Sequence, residues 1–342
     1  MNIFQKVSLK DYSTMRLGGI AQYLVDVNSK DELLEAVKWA KLEKLSMLII
    51  GEGTNIIWKD SGFDGLIIVN KIMGFEAFTE DQNNLLVTVG AGENWDFLVK
   101  RIVDMGYSGI ESLSLIPGTV GSAPIQNIGA YGNEISNSLV SIEALDITTN
   151  EFVNISNEEC SFEYRSSKFK SSFKGRYFIV AVTLKVDKNK PEAPFYAAIQ
   201  KHIDENKITK ITPRVLREIV TNIRQSKLPD PKIVPNCGSF FTNPIIDKEL
   251  FKNIQKDSPD LVYWEVADGK YKLAAGWLIE RVGYKGINDP ETGMSTWPTQ
   301  ALIFVNSSAT STNDLLKFKD KIVKEVKLKF NVSLNQEPEL LP

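Results

Sequence analysis

The stretch Ile116-Pro117-Gly118-Thr119-Val120-Gly121-Ser122-Ala123-Pro124-Ile125-Gln126-Asn127-Ile128-Gly129-Ala130-Tyr131-Gly132 carries no charged side chain, and the uncharged run extends back to residue 112. Its prolines and glycines interrupt any continuous helix, so it does not read as a membrane span but as a buried loop. A loop without charge has to satisfy its own backbone, and glycines let the main chain approach a flat or anionic ligand closely. Composition alone leaves a ligand-binding loop and a plain buried connection both open.

Working outward, two shorter glycine turns precede this loop. Gly51-Glu52-Gly53-Thr54-Asn55 follows an apolar strand over residues 47–50, where backbone amides free of side-chain bulk can wrap a pyrophosphate. It matches neither Gly-x-Gly-x-x-Gly nor the P-loop, and such turns also serve as simple connections. Gly90-Ala91-Gly92 is a weaker case, because Trp95 stands where a third glycine would be.

The elements around these turns describe a mixed α+β chain. Ser29 and Glu32 have capping-box spacing ahead of a helix over residues 31–44, and a strand over 66–69 closes a first α/β unit near Asn70. A strand over 85–89 and a helix over 95–105, ended by Gly106, open a second unit. Its sheet continues through β-rich runs at 139–147, 152–155 and 177–186. Thr212 and Pro213 start a helix that runs to about Ser226, and Leu228-Pro229-Asp230-Pro231 then reads as an extended linker into a third domain. Helices over 247–256, 274–282 and 312–330 belong there, the last a packed helix with a lysine-rich solvated face.

Composition removes several function classes. At 342 residues the chain exceeds what one core comfortably serves, so two or three domains are expected. A net charge of -3 gives no general electrostatic drive towards nucleic acid or anionic membrane, and neither is an expected partner. Residues 1–12 interleave Gln5, Lys6, Lys10 and Asp11 with apolar positions, so they lack a signal-peptide core, and the expected location is the cytoplasm. Cys160 and Cys237 are far apart and His202 is the single histidine, so no disulfide framework and no metal centre are expected.

Taken in order, the Gly51 turn, Ala91-Gly92-Glu93-Asn94-Trp95 and the 116–132 loop closely resemble the FAD-binding half of UDP-N-acetylenolpyruvoylglucosamine reductases. The resemblance continues through Tyr164-Arg165-Ser166-Ser167-Lys168-Phe169-Lys170, Lys227-Leu228-Pro229-Asp230-Pro231-Lys232, Asn236-Cys237-Gly238-Ser239-Phe240-Phe241-Thr242-Asn243-Pro244, Lys272-Leu273-Ala274-Ala275-Gly276-Trp277-Leu278-Ile279 and Glu337-Pro338-Glu339. It implies two FAD-binding domains of the vanillyl-alcohol-oxidase (PCMH) type and a third, α/β substrate-binding domain. The corresponding expectation is residues 1–70, then 71–228 with 330–342 returning to supply a last strand, and 229–329 as the substrate-binding domain. The segment around Tyr196 looks like the substrate-clamping loop of the family's type I form.

What the resemblance implies about chemistry is a monomeric enzyme that takes hydride from NADPH onto noncovalently bound FAD. The hydride then passes to the enolpyruvyl group of UDP-N-acetylglucosamine enolpyruvate, making UDP-N-acetylmuramate for peptidoglycan. Ser239 matches the family's proton donor, with Arg165 and Glu339 as the groups that support it. The cofactor set is Gly51, Glu52, Gly53, Thr54 and Asn55, with Ile116, Pro117, Gly118, Gly121, Ser122, Gln126, Asn127, Gly129, Ala130, Tyr131 and Gly132 from the loop. Tyr196, Arg224, Lys227, Asn243 and Gln300 match positions around the substrate. Three features depart from the pattern. Leu340 and Leu341 stand where an arginine usually follows the catalytic glutamate, Asn335-Gln336 lengthen the approach to it, and Trp297-Pro298-Thr299 replaces a polar run.

Other classes fit less well. A flavin oxidase that tethers its cofactor would need a histidine or cysteine in the FAD motifs, and none is there. A serine hydrolase would need a Gly-x-Ser-x-Gly elbow around Ser239, which is absent. A module that binds the UDP-sugar without reducing it would show no substrate-dependent consumption of NADPH.

Overall fold

The computed structural model describes residues 1–266 and 269–342. The chain forms two units, one of Met1–Val7, Ala21–Glu52 and Phe63–Ser226, the other of Ser8–Ile20, Gly53–Gly62 and Lys227–Pro342. Among the described residues no helix is long and apolar enough to cross a membrane.

The first unit holds two sheets. In one, the strands Ile20–Val27 and Ser46–Ile50 flank Phe63–Asn70 in parallel, and the helix Lys30–Leu42 covers them with Leu33, Ala36, Val37 and Ala40. Ser29 caps this helix by accepting from the Glu32 N–H at 3.1 Å, but the Glu32 carboxylate reaches the Asn28 N–H at 2.7 Å, so the reciprocal arm of the expected box lands one residue early. The strand Ile3–Ser8 lies at the edge of this sheet; its exposed, weakly alternating residues gave no strand signal.

The second sheet is antiparallel, with Tyr177–Asp187 at its centre between Leu139–Asp146 and Asn84–Gly90. Glu151–Ser156 and Phe75–Thr79 form its edges. The central strand is buried on both faces. Phe178 and Val180 face the core of the parallel sheet, while Ile179, Val182, Leu184 and Val186 face the core covered by the helix Trp95–Asp104. Strict alternation cannot place Ile179 and Val182 on one side. The register explains it: Glu143 pairs with Ala181 and Ala144 with Ile179, so Val180 is an extra residue that flips the phase.

The second unit is built on the antiparallel sheet Asn236–Ser239, Gln300–Asn306, Met294–Trp297 and Asn288–Asp289, with a smaller sheet of Ile245–Ile246, Lys270–Leu273 and Tyr263–Val266. The helix Thr312–Phe330 buries Leu315, Phe318, Ile322 and Val326 against Phe240, Phe241 and Phe304. Leu228-Pro229-Asp230-Pro231 does not stay extended. Asp230 folds it into a turn, its carboxylate accepting from the Lys232 N–H at 2.9 Å and its carbonyl from the Val234 N–H at 2.8 Å.

The C-terminal strand also departs from expectation. Glu339–Leu341 does not join the sheet of residues 71–228, which ends at Glu151–Ser156 on one side and Phe75–Thr79 on the other. It pairs in parallel with Ile56–Trp58, within the second unit. That short strand is framed by the segment 8–20: Ser13 Oγ donates to Ile56 O at 2.8 Å, and Gly19 N donates to Lys59 O at 3.0 Å. Asp60 then caps the helix Thr312–Phe330 by accepting from the Thr312 and Asn313 N–H groups.

In the first unit Asp146 closes the hairpin between Leu139–Asp146 and Glu151–Ser156. Its carboxylate accepts from the Thr148 N–H and from Arg176, whose hydrogen bonds hold the carboxyl down to about 2. A carboxylate with a depressed folded-state pKa stabilises above its unfolded pKa and loses that contribution as pH falls through the folded one. Asp146→Asn should lower the urea midpoint at pH 7 by a few tenths of a molar. The gap to the parent should close as pH falls from about 4 to about 2; a gap that stayed constant over that range would show that the charge is not what matters.

Candidate active site

The Gly51-Glu52 part of the first turn, the Ala91–Trp95 turn and the 116–132 loop come together in the first unit. The Ala91 N–H donates to Val180 O at 2.9 Å, continuing the ladder of Asn84–Gly90 beyond its end. Ala91 O then accepts from the Gly121 N–H at 2.9 Å, Glu93 O from the Val120 N–H at 2.8 Å, and Gly118 O from the Trp95 N–H at 3.0 Å. The 116–132 loop is thus laced onto the Ala91–Trp95 turn by main-chain bonds. Glu52, from the Gly51 turn, accepts from the Asn94 amide at 3.2 Å.

Within the loop a one-turn helix, Val120–Ser122, is held by a reciprocal box between Thr119 and Ser122. A Cβ on Gly121 would stand 2.5 Å from Ala91 Cβ, and one on Gly51 would stand 2.4 Å from Thr119 Oγ1. Those glycines are required by chain-on-chain packing. Gly118 and Gly132 have left-handed φ, and the space beyond Gly132 is open. Asn127 is buried, its amide donating to Glu134 and to Glu163 O and its carbonyl oxygen accepting from the Ser136 N–H, so its side chain is spent on anchoring the loop to its neighbours. An uncharged, backbone-defined loop of this kind fits a pyrophosphate and a flat ring system; Ile116, Pro117, Gly118, Gln126, Gly129 and Ala130 are the positions it offers, with Gly51 and Glu52 of the neighbouring turn packed beside it.

Arg165, at a left-handed φ of 55°, donates to Gly129 O at 2.7 Å. A Cβ on Gly129 would sit 3.0 Å from its guanidinium, so the glycine makes room for the arginine. Tyr131, at the end of the loop, packs edge-to-face on Tyr196 with ring centroids 5.7 Å apart, and hydrogen-bonds Arg224. Tyr196 caps the helix Ala197–Glu205 and Arg224 sits late in the helix Pro213–Lys227; the two helices pack through Ile199, Ile203, Leu216 and Ile223. Burial raises both tyrosine hydroxyls and draws Arg224 below its ordinary value. Tyr131, assigned from sequence to the cofactor set, therefore shares a cluster with two residues of the substrate set.

The second unit holds the remaining predicted residues. Ser239 ends the strand Asn236–Ser239, where Asn236 pairs with Val305 and Ser239 with Ile303, so one extra residue re-aims the strand just before the serine. Gly238 takes a φ of 74° with open space beside it. Immediately after the serine, Phe240 and Phe241 are buried against Phe304, and the Phe240 N–H donates to Leu302 O at 2.9 Å. Ser239 is accordingly half-buried on a rigidly anchored backbone.

The inserted Asn335-Gln336 lies along the same strand end: Asn335 O accepts from the Thr242 N–H and Phe240 O from the Glu337 N–H. Two residues on, the Glu339 N–H donates to Asn55 O at 3.0 Å, tying the C-terminal strand to the Gly53-Thr54-Asn55 part of the glycine turn. Gly53 needs its left-handed φ, since a Cβ there would meet Tyr12 O at 2.2 Å. Asn243 accepts from the Ala275 N–H at 2.9 Å, at the start of the helix Ala275–Arg281, and Gln300 fills the space that a Cβ on Gly276 would take. Lys227 is exposed, with its carbonyl accepting from Thr299. A groove of about 450 Å³ lined by Ile233, Pro235, Trp297 and Pro298 contains none of these residues.

The sequence reading passed over Asp96. It stands in the first turn of the helix Trp95–Asp104 and accepts from Arg217 at 2.7 and 3.0 Å and from the Leu115 N–H at 2.6 Å. An acidic residue in a first helical turn is the one signal sequence offered, and it has a common explanation in the helix dipole.

Comparison with known proteins agrees with this geometry. The FAD binding domain family matches residues 21–156, and the C-terminal domain of UDP-N-acetylenolpyruvoylglucosamine reductase matches residues 230–341. The chain is 39% identical over 338 residues to the UDP-N-acetylenolpyruvoylglucosamine reductase of Bdellovibrio bacteriovorus, covering 99% of each. It is 39% identical to that of Amoebophilus asiaticus over the whole of both chains. The crystal structure of the reductase from Thermus caldophilus shares the fold, with a TM-score of 0.66 at 23% identity and full coverage of both chains.

Because Gly121 is packed against Ala91, Gly121→Ala should push the loop off its turn, at a cost of about 1–3 kcal/mol. Purified variant should bind FAD at least about fivefold more weakly than the parent by titration of flavin fluorescence. Unchanged affinity in a folded variant would mean that the loop does not hold the flavin.

Proposed function

The chain belongs to the UDP-N-acetylenolpyruvoylglucosamine reductases, and from that footing we propose which of its residues carry each part of the reaction. It is an FAD-dependent oxidoreductase that reduces UDP-N-acetylglucosamine enolpyruvate to UDP-N-acetylmuramate, with NADPH as reductant, in the synthesis of peptidoglycan precursors. The observation that carries the reading is the main-chain lacing of the 116–132 loop onto the Ala91–Trp95 turn, which gives the FAD-binding motif a built cradle. Bound FAD supplies the hydride relay between NADPH and the enolpyruvyl carbon.

Noncovalent binding follows from the residues at hand. Neither cysteine lies in the loops, and burial raises both thiols, Cys160 to about 12, which leaves no thiolate for a tether. His202 sits in the helix Ala197–Glu205, outside the flavin motifs.

On the substrate side, negative charge develops at the carbon next to the one that receives hydride, so a proton donor and charge stabilisers are needed. Ser239 is the proton donor in this reading. A serine hydroxyl is a weak acid and serves only when held in place, and the bulge before it together with the Phe240-Phe241 anchor after it gives that rigidity. Arg165 binds the substrate carboxylate, for which its planar guanidinium is suited. Glu339, held through its backbone to Asn55, supports proton delivery.

Tyr196, Arg224 and Lys227 hold the diphosphate, while Asn243 and Gln300 hydrogen-bond the sugar. The side chain of Tyr131 joins the Tyr196 and Arg224 cluster. Residues 229–329 then form the substrate-binding domain. The same reading makes the protein a cytoplasmic monomer acting in cell-wall growth, cell shape and division.

Ser239→Ala should leave NADPH-driven bleaching of the flavin intact, since hydride transfer between the cofactors needs no proton from serine. Reoxidation by the enolpyruvyl sugar should slow by about 10²–10⁴-fold, the usual contribution of a positioned general acid. Stopped-flow absorbance reads each half separately. Reoxidation within tenfold of the parent would remove Ser239 from the role and turn attention to Glu339.

A further inference from the structure

We infer that Asp96 is a positioning residue for substrate binding, setting the helix that carries Arg224 against the mouth of the 116–132 loop. This rests on the reading of Arg224 as a substrate ligand. The carboxylate joins three elements of the first unit. It belongs to the first turn of the helix Trp95–Asp104, which is laced to the loop at Gly118. Its Oδ1 accepts from the N–H of Leu115, the left-handed residue (φ 56°) from which the loop departs. It also takes the Arg217 guanidinium in a two-pronged grip, Nη1 to Oδ1 at 2.7 Å and Nη2 to Oδ2 at 3.0 Å, with both side chains mostly enclosed.

Arg217 and Arg224 lie seven residues apart on the helix Pro213–Lys227, two turns along one face, so fixing the first fixes the azimuth and height of the second. Arg224 needs such help. Part of the residue remains accessible, but its Nε is enclosed and, among the described residues, has no hydrogen-bond partner. Arg165 lies close enough to oppose its charge, and Tyr131 and Asp96 are the groups that offset this. Burial works to raise the Asp96 carboxyl, yet hydrogen bonds from Arg217 and Leu115 and the charges of Arg217 and Arg224 hold it below the usual range. Asp96 is thus the carboxylate whose charge acts on both Arg217 and Arg224 of that helix. An enclosed cation with donors to spare is suited to an anionic oxygen of the substrate, provided that its helix cannot rotate.

Asp96→Asn keeps the size of the side chain and an oxygen for the Leu115 N–H while losing the charged grip. The expected result is a KM for the enolpyruvyl sugar raised by about tenfold or more, with FAD content and the rate of flavin bleaching by NADPH within about twofold of the parent. Arg217→Gln should give the same split, and the double variant should be no worse than either single one, because both remove one contact. Loss of FAD from Asp96→Asn would overturn the inference by making the residue part of the cofactor cradle, and so would an unchanged KM or additive effects in the double variant. Arg224→Lys separates this from the underlying reading: if it too leaves KM unchanged, Arg224 is no substrate ligand, whereas a raised KM there with none in Asp96→Asn sinks the role of Asp96 alone.

Discussion

The insertion of Val180 into the central strand Tyr177–Asp187 sets the direction of everything that follows in the first unit. One extra residue flips the strand's phase, so its two halves feed different cores without a break in the chain. The backbone beside the insertion is still satisfied: Val180 O accepts from Ala91 and Ile179 O from the Asn70 amide. Ala91 is thereby held on the sheet, and the loop is held on Ala91. The cofactor cradle owes its shape to main-chain bonds rooted in the middle of a buried sheet, which explains how an uncharged segment with four glycines in its quoted stretch keeps one conformation.

The second unit uses the same device at a smaller scale. An extra residue between Asn236 and Ser239 interrupts pairing with Gln300–Asn306 just where the serine begins, and stacked phenylalanines restore rigidity one residue later. In both units the irregularity lies beside the reactive or ligand-facing segment and is surrounded by well-paired structure. Local strain of this kind persists only where neighbours over-determine it.

Elements with chemical punctuation were legible in the sequence. The helices that begin after Ser29, Asn94, Asp247 and Ser311 stand within one or two residues of their expected starts, because apolar spacing, and at Ser29 a capping side chain, are local signals. The 116–132 loop was legible as a buried, backbone-satisfied segment for the same reason: absence of charge is local. What depends on distant partners was not. The edge strand Ile3–Ser8 has no apolar pattern, and the strand Glu339–Leu341 gave no hint that its partner would be Ile56–Trp58. Asp230 converts a proline-rich linker into a turn through bonds to residues beyond the prolines. Asp96 was passed over because its meaning lies in Arg217, more than a hundred residues away, and a lone acid at a helix start has a sufficient local explanation.

The parallel pairing of Glu339–Leu341 with Ile56–Trp58 also bears on the order in which a nascent chain can finish folding. The first unit has all its residues once synthesis has passed Ser226, although the segments 8–20 and 53–62 emerge early and belong to the other unit. Those two segments can pair with each other at once, as Ser13 does with Ile56 and Gly19 with Lys59, yet the other edge of Ile56–Trp58 has to wait until residues 339–341 have been made. An early strand edge left open while about 280 further residues are made is a place where chains made side by side on one message can capture each other. The brevity of that strand, three residues, limits how firmly a wrong neighbour can hold it.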